Sequence, residues 1–329
     1  MDDIDKKALA ELSLNFGLGT NELRLMQQND RNSVYDYKLN NKEFILKIIR
    51  ASQSDINLVL GELDWIDYLY NNGIRVVRAI PSRRDKLIES IELDGSFFLG
   101  FSYEKIGISE SMMEYEFAQK LGQVMGRMHK VTKNYEPSDK SFRRPEWFHA
   151  DWLSCPDKVI HPSQSIIIEK CHELRERLQA LDFDRDSYGL IHDDLHTGNL
   201  IISNGEITVI DFECCHYKWF IGDIASALLF DIWKEPNKDM ELMKQSAINF
   251  MENLMIGYNR ENKIDACWSK YIPVFLELRE MSLYVSWYSK WDLGKINKDQ
   301  TFFLYTKYNI ENDVPYIDID FSESLLCKT

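Results

Sequence analysis

The residue types best suited to chemistry lie in two neighbouring stretches, residues 192–199 (HDDLHTGN) and residues 210–213 (IDFE). An extended run leads into the first stretch, whose loop offers the carboxylate of Asp194 and then the amide of Asn199. A hairpin then returns the chain to a second carboxylate, Asp211, so we expect these three side chains to converge. One carboxylate can orient an attacking hydroxyl, while an amide and a carboxylate can hold Mg²⁺ against nucleotide phosphates. This set of residues therefore predicts phosphoryl transfer.

The first part of the chain predicts a small, mostly antiparallel sheet that carries one helix. The strand-type runs are residues 22–27, 33–39, 43–49 and 96–103. Asn-Asn at residues 40–41 and Asp-Gly at residues 94–95 are typical of tight hairpin turns. Between the hairpins, apolar residues recur at helical spacing from Ser54, a candidate N-cap, to Gly73, a C-terminal stop.

From about Ser111 the pattern changes to helix, interrupted by an irregular excursion over residues 134–164 and by short strands. The helical runs are residues 111–129, 166–181, 223–233, 239–258, 267–290 and 300–308. The strands are residues 188–191, 200–203 and 207–210, the last two joined by Asn-Gly. The sequence therefore predicts an α+β fold, with a β-rich lobe over residues 1–104 and a larger, mostly helical lobe over residues 105–329.

Composition excludes several classes of partner. Thirty-nine Lys and Arg against 53 Asp and Glu give a net charge of −14, and a surface this acidic repels nucleic acid and anionic lipid. No run approaches the ~20 apolar residues of a membrane helix, and the acidic N-terminus is unlike a signal peptide. The six dispersed cysteines form no C-x-x-C pair, which is typical of a reducing compartment. We therefore expect a cytoplasmic protein, with a monomer as the default state.

The order His-x-Asp-Leu-His-x-Gly-Asn at residues 192–199, followed by an apolar strand ending in Ile-Asp-Phe, resembles the family of aminoglycoside, choline and homoserine phosphotransferases. Further similar segments are residues 44–48 (FILKI), 103–107 (YEKIG), 121–129 (LGQVMGRMH) and 222–225 (GDIA). Together they follow the family's order over about residues 35–230. The resemblance implies a bilobal protein-kinase-like fold with a hinge at about residues 103–107.

The resemblance also implies an activity, the transfer of the γ-phosphoryl group of ATP to a hydroxyl of a small molecule. By this similarity, Asp194 is the expected catalytic base, and Asn199 and Asp211 are the expected Mg²⁺ ligands. Asp193 stands beside Asp194 where the family usually has a small residue, but the spacing to Asn199 favours Asp194. The roles of Asp193 and Glu213 stay open.

Nucleotide binding is expected in the first lobe. The resemblance implies that Lys47 contacts the α- and β-phosphates and that Glu62, on the following helix, pairs with Lys47. A lysine buried alone would cost free energy, so an acid nearby is also expected on physical grounds. Glu104 and Ile106, in the hinge-like segment, are expected to hold the base of ATP or GTP.

Three alternatives remain. The first is a non-catalytic, kinase-like scaffold that binds partners, although the full set of expected site residues argues against it. A bacterial Ser/Thr protein kinase shares the fold, although residues 29–33, the expected nucleotide loop, contain no glycine, and the Gly-rich cradle of protein kinases is missing. A metal-dependent hydrolase is suggested by His192 and His196, whose spacing resembles a zinc-binding helix. Gly198 and Asn199 argue against a helix there, and we see no third ligand.

The acceptor is the least determined part of the prediction. Glu277, Glu280 and Asp292, with the net charge of −14, favour a cationic acceptor such as an aminoglycoside. An amino alcohol, a homoserine-like metabolite and a sugar also remain candidates. Asp223 is expected to brace the loop rather than to react.

Overall fold

The computed structural model describes residues 3–29, 31–107, 109–234, 239–288, 301–319, 321 and 326. The strands are β1 (Arg24–Gln28), β2 (Asn32–Leu39), β3 (Lys42–Ala51), β4 (Ala79–Ile80), β5 (Glu89–Leu93), β6 (Ser96–Glu104), β7 (Tyr188–Ile191), β8 (Leu200–Ser203), β9 (Glu206–Val209) and β10 (His216–Trp219). The α-helices are α1 (Asp3–Asn15), α2 (Asp55–Asn71), α3 (Glu114–Thr132), α4 (Asp151–Ser154), α5 (Pro156–Val159), α6 (Ser165–Gln179), α7 (Ile221–Trp233), α8 (Met240–Asn259), α9 (Ile272–Tyr288) and α10 (Thr301–Glu311). The predicted α+β class is confirmed.

The chain divides into two compact units. The first unit contains Met1–Ser111, Tyr135–Arg144 and Gly198–Glu213, and the second contains Met112–Asn134, Pro145–Thr197 and Cys214–Thr329. The hairpin of β8 and β9 belongs to the first unit because the backbone of Val209 forms hydrogen bonds with Arg75 and Val77. The amide of Val77 donates to the carbonyl of Val209, and the amide of Val209 donates to the carbonyl of Arg75, each at 3.0 Å. Two segments from beyond residue 104 thus belong to the N-terminal unit.

An antiparallel sheet forms the centre of the first unit. Its strand order is β1-β2-β3-β6-β4, and β5 also pairs with β6. The predicted tight turns are present, since Asn40, Asn41, Asp94 and Gly95 all have positive φ values, between 49° and 77°. Asn, Asp and Gly adopt this left-handed conformation with the least strain, which explains why these residues form the turns.

The predicted helix α2 lies on the first unit with its apolar stripe buried. Trp65 and Leu69 are fully buried on that stripe. Ser54 occupies the N-cap position but makes no side-chain capping bond; instead, the carboxylate of Asp55 accepts the amide of Ser52 at 2.8 Å. Gly73, with φ of 79°, lies just beyond the last helical turn, as its residue type predicts.

The structure contains elements that the sequence pattern does not predict. The helix α1 precedes the sheet and packs against β5, burying Ala8, Leu9 and Leu12. This segment is short, and its apolar residues are interleaved with charges, so its periodicity is weak. The strand β10 was also missed: it pairs with β7, and the two are separated by more than twenty residues. A short strand with a distant partner gives little local signal.

Close helix packing organises the second unit. Helices α3 and α8 approach so closely that a Cβ added at Gly122 would lie 1.9 Å from the carbonyl oxygen of Leu254. On the facing helix, a Cβ at Gly257 would lie 1.8 Å from the carbonyl oxygen of Gln119. Within the described ranges, no helix combines the length and the apolar character needed to cross a membrane.

The contact between α3 and α8 predicts an unusual effect for Gly122→Ala. In an unhindered helix this change adds about 1 kcal/mol of stability. Here the new methyl group cannot fit against the backbone of α8, so we expect the free energy of unfolding to fall by about 2 kcal/mol. Urea unfolding measures the difference.

The matched control is Gly107→Ala, because no heavy atom of the described residues lies within 4 Å of the place that its new methyl group would take. This variant should change the free energy of unfolding by less than about 0.5 kcal/mol. Equal stability of the two variants would contradict the packing described for α3 and α8.

Candidate active site

Lys47 occupies the middle of the sheet in the first unit, on β3 between Val34 of β2 and Phe101 of β6. Its ammonium donates to Oε2 of Glu213 at 2.6 Å and to Oδ1 of Asp211 at 3.3 Å. Burial lowers the pKa of Lys47, but the charges of the neighbouring carboxylates outweigh it and raise the pKa above its usual value. The side chain therefore stays cationic.

Glu62 lies on the buried face of α2, and its Oε1 accepts the hydroxyl of Tyr103 at 3.0 Å. Burial raises the pKa of Glu62, and the charges of Lys47 and Arg144 offset part of this rise. The expected pair of Lys47 and Glu62 is an interaction of charges rather than a hydrogen bond, because Asp211 and Glu213 take the bonds of the ammonium.

Arg144 belongs to the same cluster but was not predicted. Its guanidinium is buried and donates to the carbonyl of Leu58 at 2.8 Å and to that of Glu213 at 2.7 Å. It thereby ties the backbone beside the Lys47 partners to helix α2. The only local signal was an Arg-Arg-Pro sequence within an irregular segment, which does not reveal a distant partner.

Asn199 and Asp211 are brought together by the hairpin of β8 and β9, as predicted. The backbone carbonyl of Asn199 accepts the amide of Ile210 at 3.0 Å, so the two residues lie at the same end of the hairpin. Asn199 is buried, whereas the side chain of Asp211 is about half exposed. An amide oxygen and a carboxylate are the hard donors that Mg²⁺ takes in proteins, so this donor set fits the ion.

The hinge-like segment keeps its backbone extended after β6. The amide of Glu104 donates to the carbonyl of Arg78 at 2.9 Å, and that of Lys105 donates to the carbonyl of Glu43 at 3.0 Å. Ile106 is partly buried, and no residue that the structure describes bonds to its backbone. Glu104 and Ile106 lie in this segment, and the binding of a nucleotide base there stays a prediction.

Asp194 lies in the second unit, beside the guanidinium of Arg279 and the imidazole of His196. Its Oδ1 accepts a hydrogen bond from the guanidinium of Arg279 on α9, and Nε2 of His196 lies 3.7 Å from its Oδ2. Burial by itself would raise the pKa of Asp194, but His196 and Arg279 outweigh it and hold the pKa at about 2. The carboxylate is thus ionised throughout the neutral range.

Asp223 braces the loop that carries Asp194, as expected. Its buried carboxylate accepts the amides of His192 at 3.1 Å and Asp193 at 2.7 Å, and Nε2 of His129 lies 3.1 Å away. Asp193 adopts a positive φ of 64°, and Lys218 on β10 donates to both of its carboxylate oxygens at 2.6 Å. The two adjacent acids therefore have different partners: Asp193 pairs with Lys218, and Asp194 pairs with Arg279.

A cavity of about 110 Å³ in the second unit adjoins these residues. Its charged lining residues are Asp193, Lys218 and Arg279. Its ring-bearing lining residues are Trp147, Trp152, His216 and Phe275. Among the described residues, basic side chains thus outnumber acidic ones around a cavity with several aromatic walls.

The acids expected to attract a cationic acceptor lie elsewhere. Glu277 bonds to Arg177, and Glu280 is buried on α9; neither lines the cavity beside Asp193. Asp292 falls outside the described residues. Their absence from this cavity leaves the expected cationic acceptor a prediction.

The zinc-helix alternative is not supported by the backbone. His192 and His196 lie in a loop that ends in the 3₁₀ turn Thr197–Asn199, so they do not share a helix face. In the part of the chain that the structure describes, no three His, Cys, Asp or Glu side chains form a group that could hold a metal ion.

Comparison with known proteins agrees with this geometry. Residues 23–254 match the model of the phosphotransferase enzyme family, so the chain belongs to that family, and the resemblance noted from its motifs is confirmed. The chain is a kinase that depends on ATP and acts on a hydroxyl of a small molecule.

The relatives it resembles include an amicoumacin kinase from Bacillus subtilis (strain 168), which is 32% identical over 323 residues, covering 97% of this chain and 95% of that protein. A solved amicoumacin kinase in complex with AMP-PNP, Ca²⁺ and Ami has a TM-score of 0.88 at 32% identity, over 98% of this chain and 96% of that one. A microcompartment-associated aminopropanol kinase, with a TM-score of 0.72 at 20% identity over 93% and 95% of the chains, shares the fold. The predicted protein-kinase-like fold is therefore confirmed.

The contact between Glu62 and Tyr103 predicts the effect of Tyr103→Phe. Removing the hydroxyl deprives a buried carboxyl group of its hydrogen-bond donor, so the free energy of unfolding should fall by about 1–3 kcal/mol. Urea unfolding measures this loss, provided that the dependence of the unfolding free energy on urea concentration is the same in both proteins. Tyr70→Phe on the exposed side of α2 is the control and should leave stability unchanged, because the hydroxyl it removes is not buried. Equal stabilities for the two variants would rule out the bond to Glu62 as a stabilising contact.

Proposed function

We propose that this kinase transfers the γ-phosphoryl group of ATP with Asp194 as catalytic base and with Mg²⁺ held by Asn199 and Asp211. The observation that carries the proposal is the bond between Lys47 and Asp211, which are 164 residues apart in the chain. A phosphate-binding cation and a metal-binding carboxylate therefore share one site in the first unit, as phosphoryl transfer requires.

Nucleotide binding is assigned to the first unit. The ammonium of Lys47 exchanges part of its bonding to Asp211 and Glu213 for oxygens of the α- and β-phosphates, and Glu62 keeps the site's charge balanced. The extended segment at Glu104 and Ile106 holds the base through its peptide groups. Mg²⁺, when bound, offsets the negative charge of the triphosphate and keeps its oxygens in place.

The proton transfer is assigned to Asp194. The acceptor oxygen forms a bond to the γ-phosphorus, the bond from that phosphorus to the β,γ-bridging oxygen breaks, and ADP leaves. The hydroxyl proton passes to Asp194. A carboxylate with a pKa of about 2 is a weak base, so its main contribution is to orient the hydroxyl, and it takes the proton late in the step.

The acceptor that the observations favour is amicoumacin or a molecule like it. The similarity to two amicoumacin kinases at 32% identity supports this choice. The cavity beside Asp193 also supports it, since aromatic walls with Lys218 and Arg279 suit a ring system better than a polycation. An amino alcohol is the second candidate, because the fold is shared with an aminopropanol kinase.

The assignment of Asp194 predicts a specific loss of turnover in Asp194→Asn. The amide cannot accept the hydroxyl proton, so kcat with a turned-over acceptor should fall at least ~100-fold. Binding of AMP-PNP, measured by calorimetry, should be unchanged, because no nucleotide contact is assigned to Asp194. Asp186→Asn, at an exposed surface ion pair with Lys133, is the control and should keep full activity. Full turnover by Asp194→Asn would contradict the assignment.

A coupled assay for ADP or GDP release identifies the acceptor. The wild-type enzyme is tested with ATP or GTP against amicoumacin, 1-amino-2-propanol, choline, homoserine, spectinomycin and sugars. We expect the highest kcat/KM with amicoumacin. If none of these small molecules is phosphorylated and the enzyme instead phosphorylates itself or another protein, the protein-kinase alternative is favoured.

The pairing of Asp194 with Arg279 predicts a change in pH dependence. Because the cation lowers the pKa of Asp194, Arg279→Gln should raise it. Activity requires the ionised carboxylate and is lost as the pH falls through its pKa, so the acid limb of kcat/KM should move to higher pH in the variant. Profiles measured from the lowest pH at which both enzymes stay folded up to about pH 8 test this shift.

Arg177→Gln is the matched control. Arg177 also donates to a carboxylate, but its partner is Glu277 on α9 rather than Asp194. Its pH profile should match that of the wild-type enzyme. A profile of Arg279→Gln that overlays the wild type would mean that the guanidinium does not control the ionisation of Asp194.

A further inference from the structure

A second cavity of the second unit, about 230 Å³ in volume, lies between α9 and α10. Its polar lining residues are Arg177, Glu277, Glu280, Asn309 and Asp313. The rest of its lining includes proline, valine, leucine, isoleucine and tyrosine side chains. It shares no lining residue with the cavity beside Asp193.

Glu280 is the unusual residue of this cavity. It is only 4% exposed, and the hydrogen bond that it accepts from Nδ2 of Asn309 is long, at 3.4 Å. Among the described residues no basic side chain forms an ion pair with it, whereas the other acids of the cavity are paired: Glu277 with Arg177, and Asp313 with Lys170. A buried carboxylate without a cation is costly, so a cationic group other than these residues would stabilise the ionised form of Glu280.

Asn309 supplies an independent indication of a ligand. It is 1% exposed and lines the cavity, yet its Oδ1 has no hydrogen-bond partner among the residues that the structure describes. One turn earlier on α10, the buried hydroxyl of Thr306 has none among them either. The amide oxygen of Asn309 can only accept a hydrogen bond, so the group that would satisfy it is a donor.

We propose that this cavity binds a primary ammonium group carried on a small apolar body. The three N–H donors of an ammonium match the two carboxylate oxygens of Glu280 and Oδ1 of Asn309. Its positive charge pairs with Glu280, and the aliphatic lining accommodates the hydrocarbon part. A single water would need only about 15 Å³, far less than the cavity offers, and would leave the carboxylate without a counter-charge.

The proposed site is separate from the chemistry at Asp194. Arg279 and Glu280 are successive residues of α9, so their side chains leave the helix about 100° apart. Arg279 faces Asp194, and Glu280 faces α10. The inference therefore goes beyond the proposed function and does not depend on it.

Ammonium binding is coupled to a proton. Burial raises the pKa of Glu280 to about 8, with the charge of Glu277 adding to the rise and Asn309 opposing it. The other charged or titratable groups facing the cavity are Arg177 from α6 and Asp313 and Tyr316 from the segment after α10. Because a bound cation favours the ionised carboxylate, binding releases a proton near neutral pH, and affinity should increase as the pH rises towards about 8.

The test uses the full chain and two probes of similar shape, n-butylammonium chloride and 1-butanol, with calorimetry as the readout. We expect n-butylammonium to bind at least ~10-fold more tightly than 1-butanol, and its affinity to rise between about pH 6 and about pH 8. Glu280→Gln keeps the size of the side chain and removes an uncompensated buried acid, so it should fold. It should lose at least ~10-fold in n-butylammonium affinity.

Glu176→Gln, at an exposed position of α6, is the matched control and should bind n-butylammonium as the wild type does. Thermal unfolding confirms that each variant is folded. Equal binding of the two probes, unchanged affinity in Glu280→Gln, or no binding of n-butylammonium at millimolar concentration would each overturn the proposal.

Discussion

A buried ammonium that must be neutralised is the constraint on which the first unit depends. Lys47 lies in the middle of a sheet, where a lone charge would cost several kcal/mol. Its counter-charges come from Asp211 and Glu213, far along the chain, and the β8–β9 hairpin belongs to the N-terminal unit through its bonds to residues 75–77. Arg144 then fixes the backbone of Glu213. The same arrangement that pairs Lys47 creates the cluster assigned to phosphate and metal.

The second unit contains the opposite case, because the carboxylate of Asp194 stays ionised although it is largely buried. Arg279 and His196 oppose the effect of burial on Asp194. Asp223 accepts two loop amides and thereby fixes the backbone that carries the two adjacent acids. Lys218 holds the neighbouring Asp193, which departs from the small residue usual in the family. The additional acid in this loop is thus paired with a base on β10.

Local sequence determined much of the fold and of the site. The turns at residues 40–41, 94–95 and 204–205 follow from Asn, Asp and Gly, which tolerate positive φ. The motif from His192 to Asn199 and the acid at Asp211 identified the phosphotransferase family because their order along the chain is itself the signal. Helix α2 was predicted from its periodicity. These features depend on near neighbours, so the sequence alone was sufficient for them.

Only the tertiary structure decided which charges meet. No pattern in the sequence indicated that Lys47 bonds to Glu213, that Arg144 supports them, or that Arg279 pairs with Asp194. The same holds for Glu280, since no sequence pattern indicated that the fold buries it against α10. Helix α1 and strand β10 were missed for a related reason, since each is stabilised mainly by packing against a distant element. Pairing of buried charges depends on distance in space, and residues far apart in sequence become neighbours only once the chain has folded.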